Sequence, residues 1–145
     1  MAIIKEVRVR ILSTIENLDS AGLVDGDAEI TESSACGYLH VFDGEYLITY
    51  VEEQDSQRIT TEIRLSGDRV RVCRTGAIES DMEFCEGTSH SSVYSVGPYK
   101  FDIEINTRKI RSSIGECGGR LDLIYGMRIG GADKNARMKI ELTTV

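Results

Sequence analysis

Apolar and polar residues alternate with a period of two through almost the whole chain, and clusters of turn residues cut the alternation into about ten runs. Val7, Val9 and Ile11 alternate with Glu6, Arg8 and Arg10. Glu29 to Phe42 and Tyr46 to Glu53 flank Asp43-Gly44, a strong two-residue hairpin signal. Ile59, Thr61, Ile63 and Leu65 alternate with Thr60, Glu62 and Arg64, then Gly67-Asp68 turns the chain into a return strand from Arg69 to Thr75. Met82 and Phe84 mark the next run, Thr88 to Val96 the one after, and Gly97-Pro98 ends it. Phe101, Ile103 and Ile105 follow, then a short separate strand around Ile110 to Ile114. Leu121 to Ile129 and Met138 to Leu142 complete the series.

A helix needs apolar residues at i, i+3, i+4 and i+7, and only Ile11 to Leu18 hints at that pattern. Asn17 to Asp27, rich in Asp and Gly, reads as a connecting loop. Consecutive short strands with tight turns pair sequentially and antiparallel, and closing such a meander removes its exposed edges. The expected fold is therefore all-β, a closed antiparallel meander barrel of about eight to ten strands, with a β-sandwich as the alternative. With 145 residues and no linker or repeat, the chain reads as one domain spanning 1–145.

Charges enter the N-terminal apolar stretch at Lys5, and no window approaches the ~18 apolar residues of a membrane-spanning helix, which predicts a cytoplasmic protein. Cys36, Cys73, Cys85 and Cys117 are widely spaced without a CxxC pair, so four reduced thiols and no metal site are expected. A net charge of −7 opposes attraction to nucleic acid or an anionic membrane. The one basic cluster, Arg58, Arg64, Arg69 and Arg71, reads as solvated surface. Cys73 beside it is the thiol whose thiolate neighbouring arginines would most favour, but a weakly reactive surface or interface cysteine is the preferred reading.

The order Gly37-Tyr38, Tyr50-Val51-Glu52-Glu53, Arg74-Thr75-Gly76, Met82-Glu83-Phe84, Gly87 with His90 and Tyr94, Gly97, Thr107 to Ile110, Gly119 with Leu121 and Tyr125, and Asn135 resembles the bacterial YwiB-like family of uncharacterised proteins. The resemblance spans nearly the whole chain. It implies a small calycin-type barrel, related in shape to lipocalins, and implies no catalytic residue and no cofactor. Val51 is an extra residue relative to that pattern and bears on the register of its strand.

Parity selects the candidate site. Val70 and Val72 set an inward face that Arg74 shares; Ile48 and Tyr50 set one that Glu52 shares; His90, Ser92 and Tyr94 have a common parity. These residues would surround one polar end of the lumen. Arg74 could receive an anionic head group while Tyr50, Tyr94, Phe84, Phe101 and Leu123 enclose an apolar body. In the simpler alternative Arg74 pairs with Glu52 and the two plug the barrel end. His90 next to Ser89 and Ser91 makes no catalytic set, because neighbours on a strand face opposite ways. Gly115, Gly118, Gly119 and Gly130-Gly131 precede no helix and read as turns, not a phosphate cradle. Expectation thus favours a barrel holding a small amphipathic or apolar ligand, then a filled barrel serving structure or protein interaction, then an enzyme.

Overall fold

When every strand has one apolar face, the sheet curls until those faces meet. A computed structural model describes residues 2–145, with Gln54 given by its backbone alone, and shows that outcome. Ten strands follow in chain order: β1 (Ile3–Asn17), β2 (Glu29–Phe42), β3 (Glu45–Gln54), β4 (Gln57–Ser66), β5 (Arg69–Gly76), β6 (Ile78–Cys85), β7 (Ser89–Val96), β8 (Tyr99–Ser112), β9 (Gly118–Ile129) and β10 (Ala132–Thr144). Each pairs antiparallel with the next, and β1 closes the ring against β10 from Val7↔Thr144 to Asn17↔Lys134. The all-β meander barrel read from the alternation is the fold. β3 runs through Val51 in unbroken register with β4.

Two local readings are corrected. Ile11 to Leu18 contains no helix; β1 continues to Asn17 because β10 and β2 pair with it on both sides as far as Ile15. The two strands read at Phe101–Ile105 and Ile110–Ile114 are largely one, β8, with a bulge between Thr107 and Lys109. The extra residue restores Ile110 to the core side three positions after the buried Thr107. Arg108 lies across Gly126, where a Cβ would stand 3.1 Å from its guanidinium. A parity break that resembles a turn in sequence is here an insertion within a strand.

The connections separate into two ends. At one lie the chain termini and the turns after β2, β4, β6 and β8, including Asp43-Gly44 with φ of 48° and 76°, the left-handed pair that joins twisted strands tightly. At the other, called here the mouth, lie the β1–β2 loop, Asp55-Ser56, Ala77, Gly97-Pro98 and Gly130-Gly131. Between the ends the lumen is filled. Phe84, Leu39, Ile48, Ile63, Leu121 and Leu123 are fully buried, and Phe84 meets Tyr125 edge to face with ring centroids 4.9 Å apart.

The four arginines of the basic cluster are each paired with a carboxylate. Arg58 pairs with Glu53 at 2.9 Å, Arg64 with Glu45 at 3.5 Å, Arg69 with Glu83 at 3.1 Å, and Arg71 with Asp81. The basic cluster of the sequence is therefore a lattice of alternating charge. Hydrogen bonds from Arg71 to Asp81 and from Arg137 to Asp122 hold both carboxyls below the ordinary carboxylate range. As pH falls, the unfolded chain takes up these protons first. The stability they supply is complete above the ordinary pKa of about 3.9 and is lost as pH falls through the lower folded values. Thermal unfolding between pH 2 and 6, a range bracketing ~3.9, should give a Tm that drops at the acid end. The variant carrying both Asp81→Asn and Asp122→Asn should start lower and drop less; an unchanged acid slope would remove both pairs from the account.

Candidate functional site

The polar residues at the mouth owe their positions to register. Tyr50 on β3 faces Thr61 on β4, Thr61 faces Arg74 on β5, and Arg74 faces Ser80 on β6. One inward polar band thus runs across four strands, one layer above the apolar lumen. Arg74 borders a cavity of about 270 Å³ at the mouth. Its apolar wall comprises Ile15, Ile103, Ile129 and three of the chain's four methionines, Met82, Met127 and Met138. Thioether side chains adapt their shape readily, so this wall is deformable. The polar lining consists of Arg74, Lys134, Glu29, Tyr94, Tyr125 and Ser13.

Charge within this cavity is unusually exposed to partnership. Among the described residues Arg74 makes no ion pair and no hydrogen bond, in contrast to Arg58, Arg64, Arg69 and Arg71 outside. Lys134 donates its ammonium proton to Asn17 Oδ1, a neutral acceptor, and so keeps its charge unbalanced. Tyr125 is 4% exposed, and its hydroxyl has no hydrogen bond to a described residue. Burial pushes the Tyr125 phenol above its usual range, with the nearby Arg74 charge opposing, and Tyr50 behaves likewise. Both remain neutral donors at ordinary pH. Thr61 Oγ1 and Ser80 Oγ, flanking Arg74 in register, are buried without a partner. Parity reasoning passed over Thr61 and Ser80 because small hydroxyl residues are ordinary in strands. Lys134 was missed because it stands in a polar run after the Gly130-Gly131 turn, although it shares the inward parity of Ala136 and Met138.

Of the residues singled out by sequence, Arg74 and Tyr94 line the cavity. Phe84 and Leu123 are wholly buried in the packed lumen beneath it, and Tyr50 is 3% exposed in the same core. Three expectations are corrected. Phe101 is 40% exposed, because β9 pairs with β8 only from Ile103 inward; its ring lies beside Gly130 at the rim. His90 is four residues along β7 from Tyr94, about 13 Å at ~3.3 Å per residue, and is not part of the mouth. Its Nε2 lies 3.3 Å from the Asp81 carbonyl, to which it donates. There it bridges a splayed stretch: β6 and β7 are in register only at Ile78↔Val96 and Glu79↔Ser95 among the described residues.

Glu52 and Arg74 form no ion pair. β4 lies between their strands and Glu52 sits one inward position beyond Tyr50, so their Cα atoms are roughly 12 Å apart by strand spacing and rise. Arg74→Met and Glu52→Gln should accordingly show stability effects that add to within about 0.5 kcal/mol, as for independent sites. A coupling of about 3–5 kcal/mol in that double-mutant cycle would restore the buried pair.

Cys73 gains no net help toward its thiolate. Burial raises its pKa first, and its thiol further donates to Asp81 Oδ1 at 3.4 Å; the favourable Arg71 charge is already engaged by that carboxylate. All four cysteines are free thiols. The opposite end holds a larger cleft, about 630 Å³, formed by turns and containing Asp68, Cys85 and Glu86. Its polar groups already have partners: Cys85 Sγ lies 3.8 Å from Asp68 Oδ2, and Glu86 accepts from the Ile110 amide at 2.8 Å. Unmet hydrogen-bonding capacity therefore distinguishes the smaller cavity at the mouth.

Residues 17–142, which contain the whole polar band, match the family described as "Domain of unknown function (DUF1934)". The chain belongs to this family. Within the DUF1934 family's reach, it is 28% identical over 106 residues to the uncharacterized beta-barrel protein YwiB of Bacillus subtilis (strain 168), covering 73% of this chain and 75% of that one. The crystal structure of the ywiB protein from Bacillus subtilis superposes with a TM-score of 0.84 at 25% identity, over 98% of this chain and 93% of the other. A fold of this shape is thus also seen by crystallography in a bacterial relative.

Proposed function

We propose that the barrel is a binding module that holds a small amphipathic molecule in the cavity at its mouth. The carrying observation is an arginine without a protein partner, Arg74, at the edge of a cavity walled by isoleucines and methionines. A half-buried guanidinium left unpaired is costly, and a ligand bearing a complementary polar group relieves that cost. Pockets commonly combine an apolar wall with a few convergent polar groups in this way. The calycin-like meander supplies a rigid frame for it, as a fold-level analogy. The filled lumen favours the second reading, a packed barrel that serves structure or protein interaction.

Methyl-labelled methionine separates the two by NMR. On titration with 1-hexanol, binding at the mouth should give saturable shifts at Met82, Met127 and Met138. If neither 1-hexanol nor hexanoate shifts those three methyls, the packed-barrel reading replaces this one.

A further inference from the structure

We infer that the ligand is a compact monocarboxylate, its carboxylate held by Arg74 and the Tyr125 hydroxyl and its body lying against the methionine wall. The inference rests on the binding reading above and adds charge, size and the groups that read them.

Charge comes first. The cavity lining carries two cations, Arg74 and Lys134, and one carboxylate, Glu29. One added negative charge makes the lining neutral, whereas a dianion would leave a surplus charge in a partly desolvated space. A neutral guest would leave Arg74 unmatched. Geometry agrees with a carboxylate, whose two planar oxygens match the fork of a guanidinium. Tyr125, nearly fully buried yet without a hydrogen-bond partner among the described residues, supplies a neutral donor at the same edge. Arg74 and Tyr125 line the same cavity, so one guest can meet both.

Size follows from the cavity. A space of about 270 Å³ lies just below the ~300–1,000 Å³ usual for ligand pockets. That suits a short aliphatic or single-ring acid and excludes a long acyl chain, since Phe84 and Leu123 fill the lumen below.

Hexanoate and 1-hexanol share one chain and differ at the head group, so their affinities isolate the charge. Measured by the methionine shifts at pH 7, hexanoate should bind at least about tenfold more tightly, the size of a charged hydrogen bond. Arg74→Met should abolish that difference while keeping 1-hexanol binding. Tyr125→Phe, which preserves the ring against Phe84, should weaken hexanoate several-fold and spare 1-hexanol. Sulfate, a dianion at this pH, should not displace hexanoate at equal concentration. Equal affinity of the acid and the alcohol would overturn the carboxylate inference and leave the cavity reading standing. Displacement by sulfate would overturn the monoanion, and tight binding of palmitate inside the barrel would overturn the size limit. Binding of neither hexanoate nor 1-hexanol would instead remove the binding reading itself. Should Arg74→Met fail to fold, Arg74→Gln with Tyr125→Phe provides the same comparison.

Discussion

Phe84→Ala should cost about 3–5 kcal/mol of unfolding free energy, the range for removing a fully buried aromatic ring. Set against a typical total of about 5–15 kcal/mol, this is a loss that urea denaturation reads directly as a lower midpoint with an unchanged slope. Phe84 has no exposed surface, is opposite Val70 across the β5–β6 pair and meets the Tyr125 ring at 4.9 Å. Its ring fills the centre of the lumen, where ten strands leave a space that neighbours cannot close by shifting, because each is fixed in its ladder. Phe84→Leu should cost less than about 1.5 kcal/mol, as a swap that keeps most of the volume. A loss for Phe84→Ala as small as that for Phe84→Leu would mean the lumen is loosely packed. In that event the mouth cavity would not be bounded below, and the size limit on its guest would go with it.

The fold was legible because a barrel repeats one simple instruction. Val7, Val9 and Ile11, or Ile63 and Leu65, say locally that one face is inward, and turn residues such as Asp43-Gly44 say where the chain reverses. Closure is the only way for ten such strands to hide both edges. Where a strand carried two signals at once the reading failed. β8 pairs with β9 on both sides of Arg108 while its parity shifts there, and period alone cannot separate a bulge from a turn. The site was legible in its centre, since Arg74 shares parity with Val70 and Val72, and illegible in its surroundings. Parity tells which face a side chain takes and is silent on height along the barrel axis. Glu52 and His90 have the right face at the wrong place, one separated from Arg74 by an intervening strand and the other about 13 Å along β7 from Tyr94. Phe101 lies past the last rung that β9 supplies. Thr61 and Ser80 join the polar band, and Lys134 the cavity lining, only through cross-strand register, which no single segment encodes.

Gly76→Ala should destabilise by about 2–4 kcal/mol, combining positive-φ strain of roughly 1–3 kcal/mol with the loss of a hydrogen bond worth about 1 kcal/mol. Gly76 ends β5 at φ 109°, and only Ala77 separates it from β6. At that corner the Ala77 amide donates to the Arg58 carbonyl at 3.0 Å, and a Cβ on Gly76 would stand 2.1 Å from the same oxygen. The substituted chain must therefore give up the turn, the hydrogen bond or the Ile59↔Gly76 pairing. Gly22→Ala provides the comparison: φ is 79° there but nothing lies within 4 Å of the added Cβ, so only the left-handed strain of roughly 1–2 kcal/mol applies. The corner lies two residues beyond Arg74, and a displaced β5 end moves the guanidinium off its cavity edge. Gly76→Ala should consequently lose the preference for hexanoate over 1-hexanol, and Gly22→Ala should keep it. Equal stability losses in the two variants would show that crowding at the Arg58 carbonyl does not fix this corner. An intact hexanoate preference in Gly76→Ala would show that Arg74 is positioned by the ladder to Thr61 and Ser80 alone.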